Sequence, residues 1–458
     1  MDYMWEGRLK KKPIKTVKLF IDSLPIDKRL AIYDIKGSIA HVKMLGKCKI
    51  IPNKEAKTII NRLSQIEKEI INGKFKFKET DEDIHTAIER RLIELVGEIG
   101  EKIHTARSRN DQIVLDEKLY LKDKIKQINI EIENLQKNLL LVAKKVFPVI
   151  STGYTHLQHS QPLLLSHYFL SWIEMLERDK ERFKDSYKRI DIFPLGVCAC
   201  CGTSLPIDRK YTAKQLGFSK IAYNSIDVVS DRDFILETGS CCCILMVHLS
   251  RLAEDLILWN TSEFKFIELP EEFCTGSSIM AQKKNPDVLE LIRGKTSTVL
   301  GNLNGLFILM KGLPLSYNRD MQEDKKFIFE ILDIVNSSIN IFTILLPKIK
   351  FNIKRIEENA FSDNFILSTD ITEYLVNKNV PFRKAYKICA EIVRYCIKKG
   401  KNFNSLSLEE FKNFSSKFEK DIYKKLNFKN SIIEKKSIGG TSYLLVKKEI
   451  SKWEKILK

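Results

Sequence analysis

Four short segments concentrate neutral hydrogen-bond donors and cations at the ends of longer apolar stretches: HTARSRNDQ at 104–112, GYTHLQHSQP at 153–162, TGSSIMAQKKNPD at 275–287 and LPLSYNRDMQEDK at 313–325. Ser, Thr, Asn, Gln, Lys and Arg all donate to carboxylate oxygens, and Arg does so bidentately, so this mixture suits a substrate carrying several carboxylates. Taken singly, the same residues have plainer uses. Asn285 followed by Pro286 is a ready N-cap and first residue for a helix, Ser277 and Ser278 read as loop hydroxyls, and Arg107 and Arg109 read as surface charges. His156 and His159 stand three apart, as metal ligands often do, but no neighbouring carboxylate or cysteine completes a set, and each reads by default as a structural histidine. The sequence has no GxxxxGK phosphate loop, no GxGxxG after a strand, no HExxH and no GxSxG elbow, which removes the usual support for nucleotide, zinc-peptidase and serine-hydrolase chemistry.

The elements that must hold these segments read as long helices. Ile125, Ile128, Ile132, Leu135, Leu139, Val142 and Val146 recur at spacings of three and four, the apolar stripe of a bundle helix that Pro148 brings to an end. Two more such patterns run from about Phe234 to Asn260 and from Pro286 to Lys311, while strand-like alternation and hairpin turn pairs are scarce. The expected architecture is all-α: a central bundle of long helices over 106–360, flanked by smaller helical domains over 1–105 and 361–458. A chain of 458 residues, 44% of them hydrophobic, is large enough for several cores.

Ten cysteines include two tight groups, Cys198, Cys200, Cys201 and Cys241, Cys242, Cys243. The second group opens an apolar helical stretch, so both are read as small buried hydrophobes rather than as metal ligands. The first fifteen residues lack the apolar core of a secretory signal, and no later stretch is expected to cross a bilayer; the most apolar, Cys241 to Trp259, contains His248, Arg251, Glu254 and Asp255. A cytoplasmic location and no membrane partner are therefore expected. The net charge of +18 is scattered along solvated faces, with Lys10–Lys12 the longest pure run, so no nucleic-acid partner is expected either, although such a field draws in a polyanionic small substrate.

Taken together, the segments resemble one family. TGSSIMAQKKNPD is similar to the GSSxMPxKxN loop of the fumarase/aspartase superfamily. MWEGRL at 4–9, SLPIDKRL at 23–30, DIHTAIERRL at 83–92, GTSLPIDR at 202–209, SDRDFILE at 230–237 and the other three polar segments resemble the argininosuccinate lyase/delta-crystallin family within it. The likeness runs through VPFRKAY at 380–386, and the residues beyond are placed mainly by position. Adenylosuccinate lyase, aspartase and fumarase share the loop around Ser277 but not RSRNDQ and YNRDMQEDK together.

The resemblance implies a three-domain helical subunit, a homotetramer with each active site built from three subunits, and cleavage of argininosuccinate to arginine and fumarate, as in arginine biosynthesis or the urea cycle, without a metal or organic cofactor. It makes Ser277 the catalytic serine that removes the proton next to a carboxylate, His156 the catalytic histidine in a donor and relay role, and Lys283 the cation that stabilises the dianionic aci-carboxylate. Asn285 helps hold that group. Ser23, Asn110, Thr155, Tyr317, Gln322 and Lys325 match substrate-contacting positions, Arg109 grips a carboxylate, and Asp83 and His85 stand near the site. Four positions depart from the family pattern: Ala281 for proline, Ile88 for asparagine near the presumed substrate region, Ala106 for glycine, and His159 where arginine is common. The resemblance also leaves room for a non-catalytic descendant, since the fold has been recruited as a lens structural protein.

Overall fold

The computed structural model of the chain describes residues 14–458; the MWEGRL segment and the Lys10–Lys12 run lie outside the described residues. In chain order the elements that matter for the site are α1 (Ala31–Lys47), α2 (Asn53–Ile71), α3 (Ile84–Val96), α4 (Arg109–Lys145), the hairpin strands β1 (Ile150–Thr155) and β2 (Gln158–Leu164), then α5 (Leu165–Ile190), α6 (Asp233–Asn260), α7 (Asp287–Met310) and α8 (Asp324–Leu345). The expected all-α architecture is present, with three small two-stranded sheets among the described residues. The seven residues of the stripe from Ile125 to Val146 are all buried. Each such side chain contributes about 1.5–3 kcal/mol relative to its exposed state, so packing of the stripe, more than helix propensity, holds α4 together.

The described chain divides into two compact units. One comprises residues up to Ile130, Asp179–Met246 and Lys295–Asn336, the other Glu131–Arg178, Val247–Gly294 and Ser337–Lys458, and the boundaries fall inside α4, α5, α6, α7 and α8. In the first unit, α1, α2 and α3 close over Ile35, Val42, Leu45, Ile59, Leu63 and Leu92. Ile88 belongs to that cluster and is 1% exposed. Its departure from asparagine thus places an apolar side chain in an apolar core, where an amide would need buried partners, and Ile88 is not among the residues that line the cavity described below. In the second unit the helices after 365 share a core that includes Phe403, Phe411 and Phe418, all fully buried.

Two expectations change. Among the described residues one helical segment, Arg319–Lys348, is long and apolar enough to cross a membrane, and it is not the stretch from Cys241 to Trp259; more than half of its apolar window is buried inside the protein, as in a core helix. The second change concerns GYTHLQHSQP, which is a β-hairpin. Thr155 pairs with Gln158, leaving His156 and Leu157 as a two-residue turn with φ of +56° at both. Positive φ at both central residues is the pattern of a type I′ turn, which normally takes Asn-Gly, so His156 is held in a backbone conformation that costs free energy.

Candidate active site

A cavity of about 1060 Å³ opens in the first unit, and Ser23, Arg109, Asn110, Tyr317, Gln322 and Lys325 line it, together with Asp83 and His85. Ser23 precedes a short helix, Leu24–Asp27, and its Oγ donates to Asp27 at 2.5 Å; Asp27 also accepts from the Ile84 N–H at 3.1 Å. Arg109 and Asn110 occupy the first turn of α4. The Arg109 guanidinium lies 3.1 Å from Asp83, the N-cap of α3, so its carboxylate partner here belongs to the same chain. Burial acts to raise the pKa of Asp83, but Arg109, His85 and the bonds from Thr86 outweigh it and hold the group ionised. Gln322 Nε2 donates to the Ile21 carbonyl at 3.0 Å, and Asn110 Nδ2 to the Ala199 carbonyl at 3.3 Å.

Lys325 reaches the cavity from a buried ionic cluster. Its Nζ lies 2.8 Å from Asp324 and 3.1 Å from Glu117, and Arg232 Nε lies 2.5 Å from Asp324 and 3.3 Å from Glu117. Two cations and two carboxylates balance. Desolvation opposes the charge on Lys325, but Asp324 and Glu117 more than offset it and raise its pKa, so it is a permanent cation at the cavity wall. His104, also on the wall, is pushed the other way: burial and then the charges of Arg107 and Arg109 lower its pKa to about 4, leaving a neutral imidazole at physiological pH. Arg107 is no surface charge, since it is buried and donates to Ser38 Oγ at 2.7 Å. Behind His85, Asp34 Oδ1 lies 3.0 Å and Asp116 Oδ2 3.4 Å from Nδ1. Among the described residues these three are the group whose ligand atoms converge closely enough for a metal ion. Burial and the Asp34 charge, however, raise the Asp116 carboxyl well above the usual range, and the Arg107 charge acts on both carboxyls.

Ala106, between His104 and Arg109, has φ of +57°. Left-handed backbone costs an L-residue about 1–2 kcal/mol, whereas glycine is indifferent to it but loses about 0.5–1 kcal/mol more chain entropy on folding. Ala106→Gly is therefore expected to stabilise the protein by up to about 1 kcal/mol, read as a Tm increase of about 1–2 °C in scanning calorimetry. An unchanged or lower Tm would show that this turn carries no strain worth relieving.

The remaining candidates stand in the second unit, and none of them lines the cavity. Thr155 and His156 form the exposed tip of the hairpin. His156 has no hydrogen-bond partner among the described residues. His159 is structural: its Nδ1 lies 3.1 Å from Asp363, and Nε2 lies 3.3 Å from Asn359 Nδ2. Thr275 and Asn285 pair through two backbone hydrogen bonds of 3.1 and 2.8 Å, pinching off the loop that carries Ser277, and Asn285 Nδ2 reaches the Gly276 carbonyl at 3.5 Å. Ser277 Oγ accepts from the N–H groups of Ile279 and Met280 at 3.3 and 3.1 Å. Lys283 is exposed on the same loop, with no carboxylate within ion-pair distance among the described residues, and Ala281 is exposed beside it.

Several groups at the cavity escaped the sequence reading. Asp27 was legible in principle, four residues after Ser23 in SLPIDKRL and so one helical turn away. Arg319, which donates to Glu82 and to the Ile21 carbonyl, lies inside YNRDMQEDK but was not singled out. Arg232 likewise lies inside SDRDFILE, whereas Glu117 left no local signal, and the partners of both stand about 90 to 210 residues away in sequence. The cysteine reading holds for Cys242 and Cys243, which are buried in α6, but not for Cys201, which is exposed.

A family model described as "Lyase" matches residues 7–301, and one described as "Argininosuccinate lyase C-terminal" matches 365–433. The chain is 47% identical over 449 residues to the argininosuccinate lyase of Syntrophobacter fumaroxidans, covering 98% of this chain and 96% of that one. To the argininosuccinate lyase of Caldicellulosiruptor saccharolyticus it is 48% identical, covering 99% and 98%. Among solved structures it is similar to EDDS lyase in complex with formate, with a TM-score of 0.82 at 26% identity, over 94% of this chain and 87% of that one.

Proposed function

The chain belongs to the argininosuccinate lyase family of the fumarase/aspartase superfamily, and from that premise we propose that it catalyses the reversible β-elimination of argininosuccinate to arginine and fumarate. It is a carbon–nitrogen lyase. We further infer a cytoplasmic homotetramer in which each site takes segments from three subunits. One observation carries this reading. Six candidate substrate contacts of the first unit gather on one cavity that already holds a fixed cation, and in the second unit Ser277, His156 and Lys283 sit on exposed segments, where packing does not prevent them from completing a neighbouring subunit's site.

In this reading Ser277 Oγ removes the proton from the carbon beside the carboxylate. An isolated serine is too weak a base, but the two backbone N–H donors at 279 and 280 favour its ionised oxygen, and the N-terminus of α7, four residues beyond Lys283, adds positive potential. The carboxylate becomes dianionic as the proton leaves, and Lys283, unpaired among the described residues, is available to stabilise it. Electrons then return to expel the arginine guanidino nitrogen, which takes a proton from His156 directly or through water. Arg109, Asn110, Thr155, Tyr317, Gln322, Lys325, Asn285 and Ser23 hold the substrate. The test is fumarate release, followed by ultraviolet absorbance, when argininosuccinate is added to the purified enzyme. Release from adenylosuccinate, aspartate or malate alone would reassign the chain within the superfamily, and no release from any of them would make it a non-catalytic descendant.

A further inference from the structure

The turn Val197–Gly202, closed by the Gly202 N–H on the Val197 carbonyl at 2.9 Å, carries three cysteines that the lyase chemistry leaves unused. It is fastened to the first turn of α4. Gly196 N and Cys198 N donate to Asp111 Oδ2 at 2.9 and 2.8 Å, and Asn110 donates to the Ala199 carbonyl. Ser225 Oγ fixes the next carbonyl, that of Cys200, at 2.6 Å. Cys200 and Cys201 project their sulfurs to the same side, 3.5 Å apart. Cys201 is exposed, and Cys200 packs partly against Val197, Val228 and Val229. A disulfide needs a sulfur separation of about 2.05 Å, and neighbouring Cα atoms about 3.8 Å apart are closer than the usual range of about 4.4–6.8 Å, so closing the ring takes side-chain rotation together with distortion of the intervening peptide, which makes the bond readily reducible.

We propose that Cys200 and Cys201 form a modification site, a vicinal dithiol that small disulfides of the glutathione class oxidise to a disulfide enclosing the peptide bond between them, and that the closed form weakens substrate binding through Asn110. The Cys201 thiolate attacks the small disulfide and releases one small thiolate. The Cys200 thiolate then attacks the sulfur of Cys201 and releases the second. Overall the two protein thiols lose two electrons and two protons, and the small disulfide gains them as two small thiols. The new ring pulls on the Cys200 peptide, whose preceding carbonyl, that of Ala199, orients Asn110. The effect on binding rests on the reading of Asn110 as a substrate contact.

The experiment incubates the intact enzyme with oxidised glutathione at mildly alkaline pH, because the neighbouring Cys200 thiol raises the pKa of Cys201. Unreduced digestion is expected to give a peptide containing Cys200 and Cys201 that is lighter by two hydrogens and refractory to alkylation. KM for argininosuccinate should rise about five- to tenfold, the loss of one hydrogen bond, with kcat little changed and full recovery in dithiothreitol. Cys201→Ser should show neither change. Free thiols at both positions, a stable glutathione adduct, a bond from Cys198 instead, or the ring without a change in KM would each overturn the proposal. Asn110→Ala in the reduced enzyme tests the underlying reading separately: an unaltered KM there removes the substrate role of Asn110 and with it the coupling, while the mass spectrum still decides whether the ring forms.

Discussion

Ser277→Ala is expected to lower kcat by at least about a thousandfold while leaving the assembly folded and substrate affinity within a few-fold of native. The asymmetry follows from where the oxygen sits. Ser277 stands on an exposed loop whose closure depends on backbone bonds between Thr275 and Asn285, so removing one hydroxyl disturbs neither the pinch nor a core. Its Oγ receives two N–H groups, and deleting it leaves those donors with no ion to stabilise when the substrate proton must leave. In the proposed function binding relies on Lys325, Gln322 and the other groups that line the cavity, which this change does not touch. Rapid-mixing or steady-state fumarate formation gives kcat, and isothermal titration of the inert variant with argininosuccinate gives affinity. A variant that turns over at near-native rate would remove Ser277 from the chemistry.

Mixing two dead enzymes is expected to produce a live one. His156→Asn and Ser277→Ala homotetramers should each be inactive, because every site in either carries its lesion. If the two are unfolded together in equal amounts and reassembled at random, a site of the proposed assembly draws its His156 and its Ser277 from different chains. Each comes from a native donor with probability of about one half, so about a quarter of sites recover. Self-contained sites would recover nothing, since every site would hold one lesion or the other. Heterotetramers verified by native mass spectrometry but devoid of activity would therefore refute shared sites and leave the lyase chemistry standing.

The long helices were legible because their stripes repeat with the helical period: the Ile125–Val146 set is fully buried on α4, and α6 and α7 begin and end within one residue of their sequence signals. The hairpin at 150–164 was not. Its turn residues are His and Leu rather than Asn and Gly, so nothing local announced a reversal. The cavity was half legible. Ser23, Arg109, Asn110, Tyr317, Gln322 and Lys325 follow from the family's motifs, and one cavity does gather them. What no motif conveys is that Arg109 is already paired with Asp83, or that Arg232 and Glu117 hold Lys325 in place, because those pairings are made by tertiary packing of distant segments.

The buried quartet of Glu117, Arg232, Asp324 and Lys325 also determines how such a chain would age if selection for catalysis were relaxed. Losing one member strands an opposite charge away from water at about 3–5 kcal/mol, a large share of the stability of an ordinary domain. Purifying selection for foldability alone would therefore preserve Lys325 and admit changes only in compensated pairs. His156 and Lys283, which are exposed, and the half-buried Ser277, which holds only two N–H groups of its own loop, carry far less structural burden and would be among the first to drift. A lineage that had abandoned the proposed reaction would be expected to keep its cavity cation while Ser277, His156 and Lys283 drifted, so for the proposed chemistry the identity of those three residues is a more telling mark of an active enzyme than the identity of Lys325.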